Sequence, residues 1–193
     1  MKKVLLVAMC VLTLVCLCAC TDSKAEFKKM AEVASAEYSQ IDITIITSKG
    51  STDNLTSTIK VTTKDGKTTV TYHLEEFTKI TADSIPESYK TVREGVVEVV
   101  NGKESGDVLE DVSFVNAAKV PYSFDRSYFG EVKFNDGKFS APVNSPELFT
   151  GNNSFDCKGK MAVDFDYTSP TKEIRVNYQT QDDVFVDITY KMS

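Results

Sequence analysis

Two Asp-Gly pairs, Asp65-Gly66 and Asp136-Gly137, lie between runs in which apolar and polar residues alternate, and this combination restricts the chain to an antiparallel sheet built of hairpins. A two-residue type I′ turn needs positive φ at both central residues, which Asp and Gly accept, and closing it decides which side chains share a face. Closure at Asp65-Gly66 sets Val61 opposite Val70 and Ile59 opposite Tyr72. Carrying the pairing back across the Lys49–Asn54 loop brings Ile43 to Ile59 and Ile41 to Val61, a three-strand meander with Thr62, Thr69 and Thr71 on the other face. Closure at Asp136-Gly137 sets Phe134 opposite Phe139 and Val132 opposite Ala141.

Three further strands are expected over Lys160–Tyr167, Lys172–Thr180 and Val184–Met192. The Ser169-Pro170 turn aligns Met161 with Tyr178, Val163 with Val176 and Phe165 with Ile174. The Gln181–Asp183 turn aligns Tyr178 with Val186, Val176 with Ile188 and Ile174 with Tyr190. One face is continuously apolar, and the other carries Asp164, Asp166, Glu173, Arg175, Asn177, Asp187 and Thr189.

Outside these strands the apolar spacing changes to near 3.6 over Glu26–Tyr38, where Phe27, Met30, Ala31, Val33, Ala34 and Tyr38 oppose Lys28, Lys29, Glu32 and Glu37, an amphipathic helix. Ser84-Ile85-Pro86-Glu87 with Tyr89 and Val92 reads as a short helix, and Val96–Val100 before Asn101-Gly102 as a hairpin. Residues 108–118 fit a strand or a helix; Tyr122, Phe124, Tyr128 and Phe129 are expected to cover one end of a core rather than rim a groove. Ser145–Gly151 reads as one helical turn stopped by Gly. The expected fold class is α+β: an N-terminal amphipathic helix packed on a curved, mostly antiparallel β-sheet.

The N-terminus places this domain. Lys2 and Lys3 precede an apolar run from Val4 to Cys18, broken by Thr13, that is some five residues short of the about 20 needed to span a bilayer. Leu17-Cys18-Ala19-Cys20 closes it and resembles the lipobox of bacterial lipoprotein precursors. The resemblance implies diacylglyceryl transfer to the Cys20 thiol and cleavage after Ala19. The chain then divides into a signal peptide at 1–19, a lipidated Cys and polar leash at 20–25, and one domain at 26–193. It would reside on the extracytoplasmic face of the cell membrane, or on the outer membrane of a diderm host. Two or three acyl chains at about 0.8 kcal/mol per buried CH₂ make such an anchor effectively permanent.

With the signal go two of the 22 basic residues and none of the 28 acids, so the mature chain carries −8. Such a domain is expected to repel nucleic acid and, likewise, anionic membrane headgroups, which leaves membrane affinity to the lipid. Three of the five cysteines leave as well and Cys20 takes lipid, so Cys157 has no intrachain disulfide partner.

Asp164, Asp166, Asp187 and Asn177 are oxygen donors that a hard cation would accept, but Arg175 opposite Asp164 explains the acid as a cross-strand ion pair; no metal and no cofactor are expected. His73 projects to the polar face, away from Cys157, and no Gly-x-Ser-x-Gly, His-Glu-x-x-His, Walker or dinucleotide motif occurs, so no catalytic residue and no enzyme activity are expected. The expected function is that of a monomeric, noncatalytic module binding an envelope or extracellular protein or glycan. Alternatively, the order helix then meandering sheet is similar to half-barrel lipoprotein carriers of the LolA and LppX type. That resemblance implies an apolar cargo among Ile43, Ile59, Tyr72, Phe165, Val176 and Ile188. A Cys20→Ser variant is expected to move from the detergent phase to the aqueous phase on phase partition and to lack fatty-acid mass.

Overall fold

The computed structural model describes residues 23–49, 53–77 and 90–193. Helix α1 occupies residues 23–34. The strands are β1 Gln40–Lys49, β2 Asp53–Lys64, β3 Lys67–Phe77, β4 Lys90–Val100, β5 Lys103–Gly106, β6 Lys133–Asn135, β7 Lys138–Val143, β8 Met161–Asp166, β9 Lys172–Gln179 and β10 Val184–Met192. A short helix, α2, spans Pro146–Thr150 between β7 and β8. The protein is therefore mostly one ten-stranded antiparallel sheet, in the order β5-β4-β3-β2-β1-β10-β9-β8-β7-β6.

Turn chemistry dictates the hairpins. Asp65, Asn101 and Asp136 take φ of 52°, 52° and 47°, each followed by a glycine with positive φ, as two-residue primed turns require. The registers follow: Val61 faces Val70, Ile59 faces Tyr72, Ile43 faces Ile59 and Ile41 faces Val61. At the other end Val163 faces Val176, Phe165 faces Ile174, and Tyr178, Val176 and Ile174 face Val186, Ile188 and Tyr190. Two expected pairs fall outside the ladders. The β6–β7 ladder stops at Lys133 and Ser140, and pairing resumes at Phe129–Val143 offset by one residue, so Val132 and Ala141 do not form a ladder pair. The β8–β9 ladder stops at Ala162 and Asn177, one position short of Met161 and Tyr178.

One ladder joins strands that are not consecutive in the chain. β1 also pairs with β10, from Ile41–Met192 to Lys49–Val184, so the first and last strands meet in the middle of the sheet. This joins the meander β1–β5 to the meander β6–β10 and removes the one edge that each would otherwise expose there.

Three local expectations are corrected. The helix begins at residue 23 rather than Glu26, so residues 23–25, expected in the leash, are helical; it ends at Ala34 because the Tyr38 N–H is committed to the Ala118 carbonyl at 3.1 Å and Glu37 bridges to Lys119. Val92 lies in β4, where its partner is Glu75 of β3; a ladder running on to Phe77–Lys90 outweighs the local helical spacing. Ser84-Ile85-Pro86-Glu87 lies outside the described residues. Residues 108–118 are neither strand nor helix but a segment tied down by side chains. Tyr72 Oη donates to the Asp107 carbonyl at 2.8 Å, its ring stacks on Phe114 at 5.7 Å, and the Glu104 carboxylate accepts from Ser113 Oγ and the Phe114 N–H. Gly95 makes this possible, since a Cβ there would stand 2.7 Å from Tyr72 Oη and 2.5 Å from Asp107 Cβ.

The densest core lies on the β7–β10 side. Phe139, Phe149, Met161, Val163, Phe165, Ile174 and Val176 are essentially inaccessible, and Phe124, Phe129, Phe139, Phe149 and Phe165 form a chain of ring contacts at 5.3–6.3 Å. Each well-placed aromatic pair adds about 0.5–1.5 kcal/mol beyond its burial. Phe27 of α1 is buried, with its ring 5.9 Å from both Phe129 and Phe139. Adjacent residues of α2 test this arrangement. Phe149→Ala is expected to cost about 3–5 kcal/mol in denaturant unfolding, and Leu148→Ala, at a half-exposed position, less than about 0.5.

Candidate binding site

A concavity of about 720 Å³ lies between α1, residues 116–124 and the end of α2. Its sequence logic is local. Ser145-Pro146 starts α2, and Gly151 at φ 66° stops it after one turn, which presents the Phe149 carbonyl to the Ser123 N–H at 2.8 Å. That bond fixes the extended stretch through Tyr122 and Phe124 against the sheet. The Tyr122 ring lies 4.7 Å from Phe149 at 6°, and Phe124 meets Phe149 edge-on at 5.4 Å. Tyr190 of β10 stands edge-on to Tyr122 and donates its hydroxyl to Tyr122 Oη at 3.3 Å. Burial, then the neighbouring Tyr190, pushes the Tyr122 phenol well above its ordinary pKa, so it stays neutral.

Val120, Pro121, Tyr122, Phe124 and Phe149 thus give the groove an apolar wall, and Lys28, Glu32 and Lys119 supply a rim of mixed charge. Lys119 pairs with Glu37 at 3.0 Å. Tyr122, Phe124, Tyr128 and Phe129, expected to cover a core end, all pack in or against the core, and Tyr122 and Phe124 also form this wall. The sequence showed the residue types but not that α1 and α2 would flank them, because both contacts are long-range.

The other residues singled out earlier sit apart. Arg175 is opposite Asp164 in register, yet it does not pair with it; the guanidinium reaches Asp187 on β10, Nε lying 2.9 and 3.0 Å from the carboxylate oxygens. Asp187 is nearly buried and Asp164 exposed, so the charge-assisted pair forms where water competes least. The Asp187 carboxylate raises the Arg175 pKa further. Asp166 accepts from the Ser169 N–H at 3.2 Å, and hydrogen bonding from Ser169 holds its carboxyl below the usual range. Among the described residues no three His, Cys, Asp or Glu side chains converge as metal ligands do. Cys157 is half-buried beside β9, its pKa raised by burial and then by Glu147 and Asp156, while His73 lies on β3 with three strands between. Cys20 lies outside the described residues, and among the described residues no helix is long and apolar enough to cross a membrane.

On the polar face His73 stands between two carboxylates, Nδ1 3.3 Å from Glu94 and Nε2 3.6 Å from Glu75. Glu75 also takes Lys90 and the Thr56 N–H at 2.9 Å, which ties β2, β3 and β4 together. No local pattern marks this cluster, since its members come from three strands.

Comparison of the sequence with protein-family models and with curated proteins yields no match.

Lys90, the Thr56 N–H and His73 hold the Glu75 carboxyl down to about 2 against an ordinary value of 4.5. A depressed folded pKa means that its contribution to stability is complete above pH 4.5 and is lost as the pH falls through about 2. Acid unfolding of Glu75→Gln, followed by circular dichroism, is expected to show a shallower pH dependence across that window.

Proposed function

We propose that the chain is a lipoprotein anchored through acylated Cys20 on the extracytoplasmic face of a bacterial membrane, and that its α+β domain is a noncatalytic, monomeric module binding an envelope or extracellular protein or glycan. In this reading α1 packs as a cover on a curved sheet, as the burial of Phe27, Met30 and Ala34 supports. The observation that carries the binding role is where empty space lies. The inner face on the β7–β10 side is filled with the chain's own side chains, Phe139, Phe149 and Phe165 among them, while a concavity of about 720 Å³ is an open groove at the surface. The mature charge of −8 supports a partner other than nucleic acid.

The carrier reading draws on a different observation. Of the six residues that would line a cargo cavity, Tyr72, Phe165 and Val176 are sealed in the core, but Ile43, Ile59 and Ile188 are only partly buried. Native mass spectrometry of the Cys20→Ser chain purified from bacterial extract separates the two. A bare protein mass is the expected result; copurified phospholipid or another apolar molecule would replace the binding module with a carrier.

A further inference from the structure

A second groove, of about 580 Å³, opens toward the start of α1 and shares Lys28 and Phe124 with the first. Phe27, Phe124 and Phe134 line it as buried or half-buried rings, and Lys24, Lys28 and Arg126 line it as exposed cations. Aromatic rings beneath long cationic side chains have the layering of a membrane interface, rings at acyl depth and ammonium or guanidinium groups at headgroup depth.

The charge is local and available. Three cations face one carboxylate, Asp125, in a domain that is otherwise strongly acidic. Asp125 is occupied in its own turn, accepting from the Ser127 N–H at 2.9 Å and Ser127 Oγ at 2.6 Å. Among the described residues no carboxylate lies within ion-pair distance of Lys24 or Arg126, and Lys28 has only a long, exposed pair with Glu32 at 3.8 Å. Arg126 Nη1 donates to the Phe129 carbonyl at 3.0 Å, which holds the guanidinium in place.

Position completes the argument. Ser23 lines this groove, and Cys20 precedes it by three residues, a reach of at most about 10 Å. A lipid chain on Cys20 would therefore hold this end of the domain, and not the acidic remainder, within about one Debye length of the headgroups.

We infer that the groove bounded by Lys24, Lys28 and Arg126 seats an anionic glycerophospholipid of the membrane to which the chain is anchored, and so sets the orientation of the domain on that membrane. The inference rests on acylation of Cys20. The acyl chains supply the attachment; the groove supplies its angle.

The test uses the full acylated chain purified from membranes and reconstituted into vesicles of phosphatidylcholine alone or of equal phosphatidylcholine and phosphatidylglycerol. Hydrogen exchange is read on peptides covering residues 23–28 and 124–134. Exchange is expected to slow on the order of tenfold in the anionic vesicles relative to the neutral ones, at cationic positions that each interact with anionic lipid. Lys24→Glu with Lys28→Glu, and separately Arg126→Glu, should erase that difference while flotation with vesicles persists. Unchanged exchange in β2 and β3 shows that the variants remain folded. Equal protection in both vesicles overturns the proposal, since an acyl chain tucked into the groove needs no anionic headgroup, and so does protection in neither. If the purified chain carries no acyl mass, the lipoprotein reading itself has failed. The groove is then judged with dihexanoyl-phosphatidylglycerol below its micelle concentration: slowed exchange sustains the lipid seat, and unchanged exchange overturns it.

Discussion

The β1–β10 ladder is the interaction on which the rest of the structure depends. Without it the chain is two separate meanders, each with an apolar face and an open inner edge. Nine paired positions from Ile41–Met192 to Lys49–Val184 fuse them into one sheet whose inner residues Ile41, Ile43, Tyr190 and Met192 lie side by side. Closing a loop of this length costs entropy that hairpins do not face, so the ladder must be supported by the side chains that it gathers. Ile41 and Met192, at its end, are fully buried and repay that cost directly.

Joining the meanders also creates the surfaces that function can use. Tyr190 reaches Tyr122 only because β10 sits centrally, and the Tyr122–Phe149 stack then aligns residues 116–124 beside α1. The two grooves are consequences of the same ring cluster: Phe124 lines both, and Phe27 of α1 lines the more cationic one. One has an apolar wall with a mixed rim and suits a partner of the domain. The other has a cationic rim at the start of α1 and, with Cys20 acylated as proposed, would suit an anionic membrane surface. A single helix serving both would couple where the domain sits to what its loops can reach.

The hairpins were legible because their information is short-ranged. Asp65-Gly66 and Asp136-Gly137 name the turn, and alternation then names the face, so partners such as Val61–Val70 and Phe165–Ile174 follow from counting. Where counting failed, a non-local interaction intervened. Val92 joined β4 because β3 offered a free edge, and Arg175 passed over its facing Asp164 for a diagonal, better-buried Asp187. Tyr122 and Phe124 read from the sequence as a cover, but nothing local shows that a cover will also leave an open cleft beside it.

The sequence by itself determined the hairpin registers, the apolar face, the stop of α2 at Gly151 and the resemblance of Leu17–Cys20 to a lipid-attachment signal. Each of these is set within a few residues, by backbone conformations that only certain side chains allow or by a period that a strand or helix must obey. The tertiary structure alone decided that β1 meets β10, that Gly95 admits the Tyr72 hydroxyl, and that Lys24, Lys28 and Arg126 gather around three phenyl rings. Those arrangements join residues tens to about a hundred and fifty positions apart, and their free energy comes from packing and charge placement that no local pattern encodes.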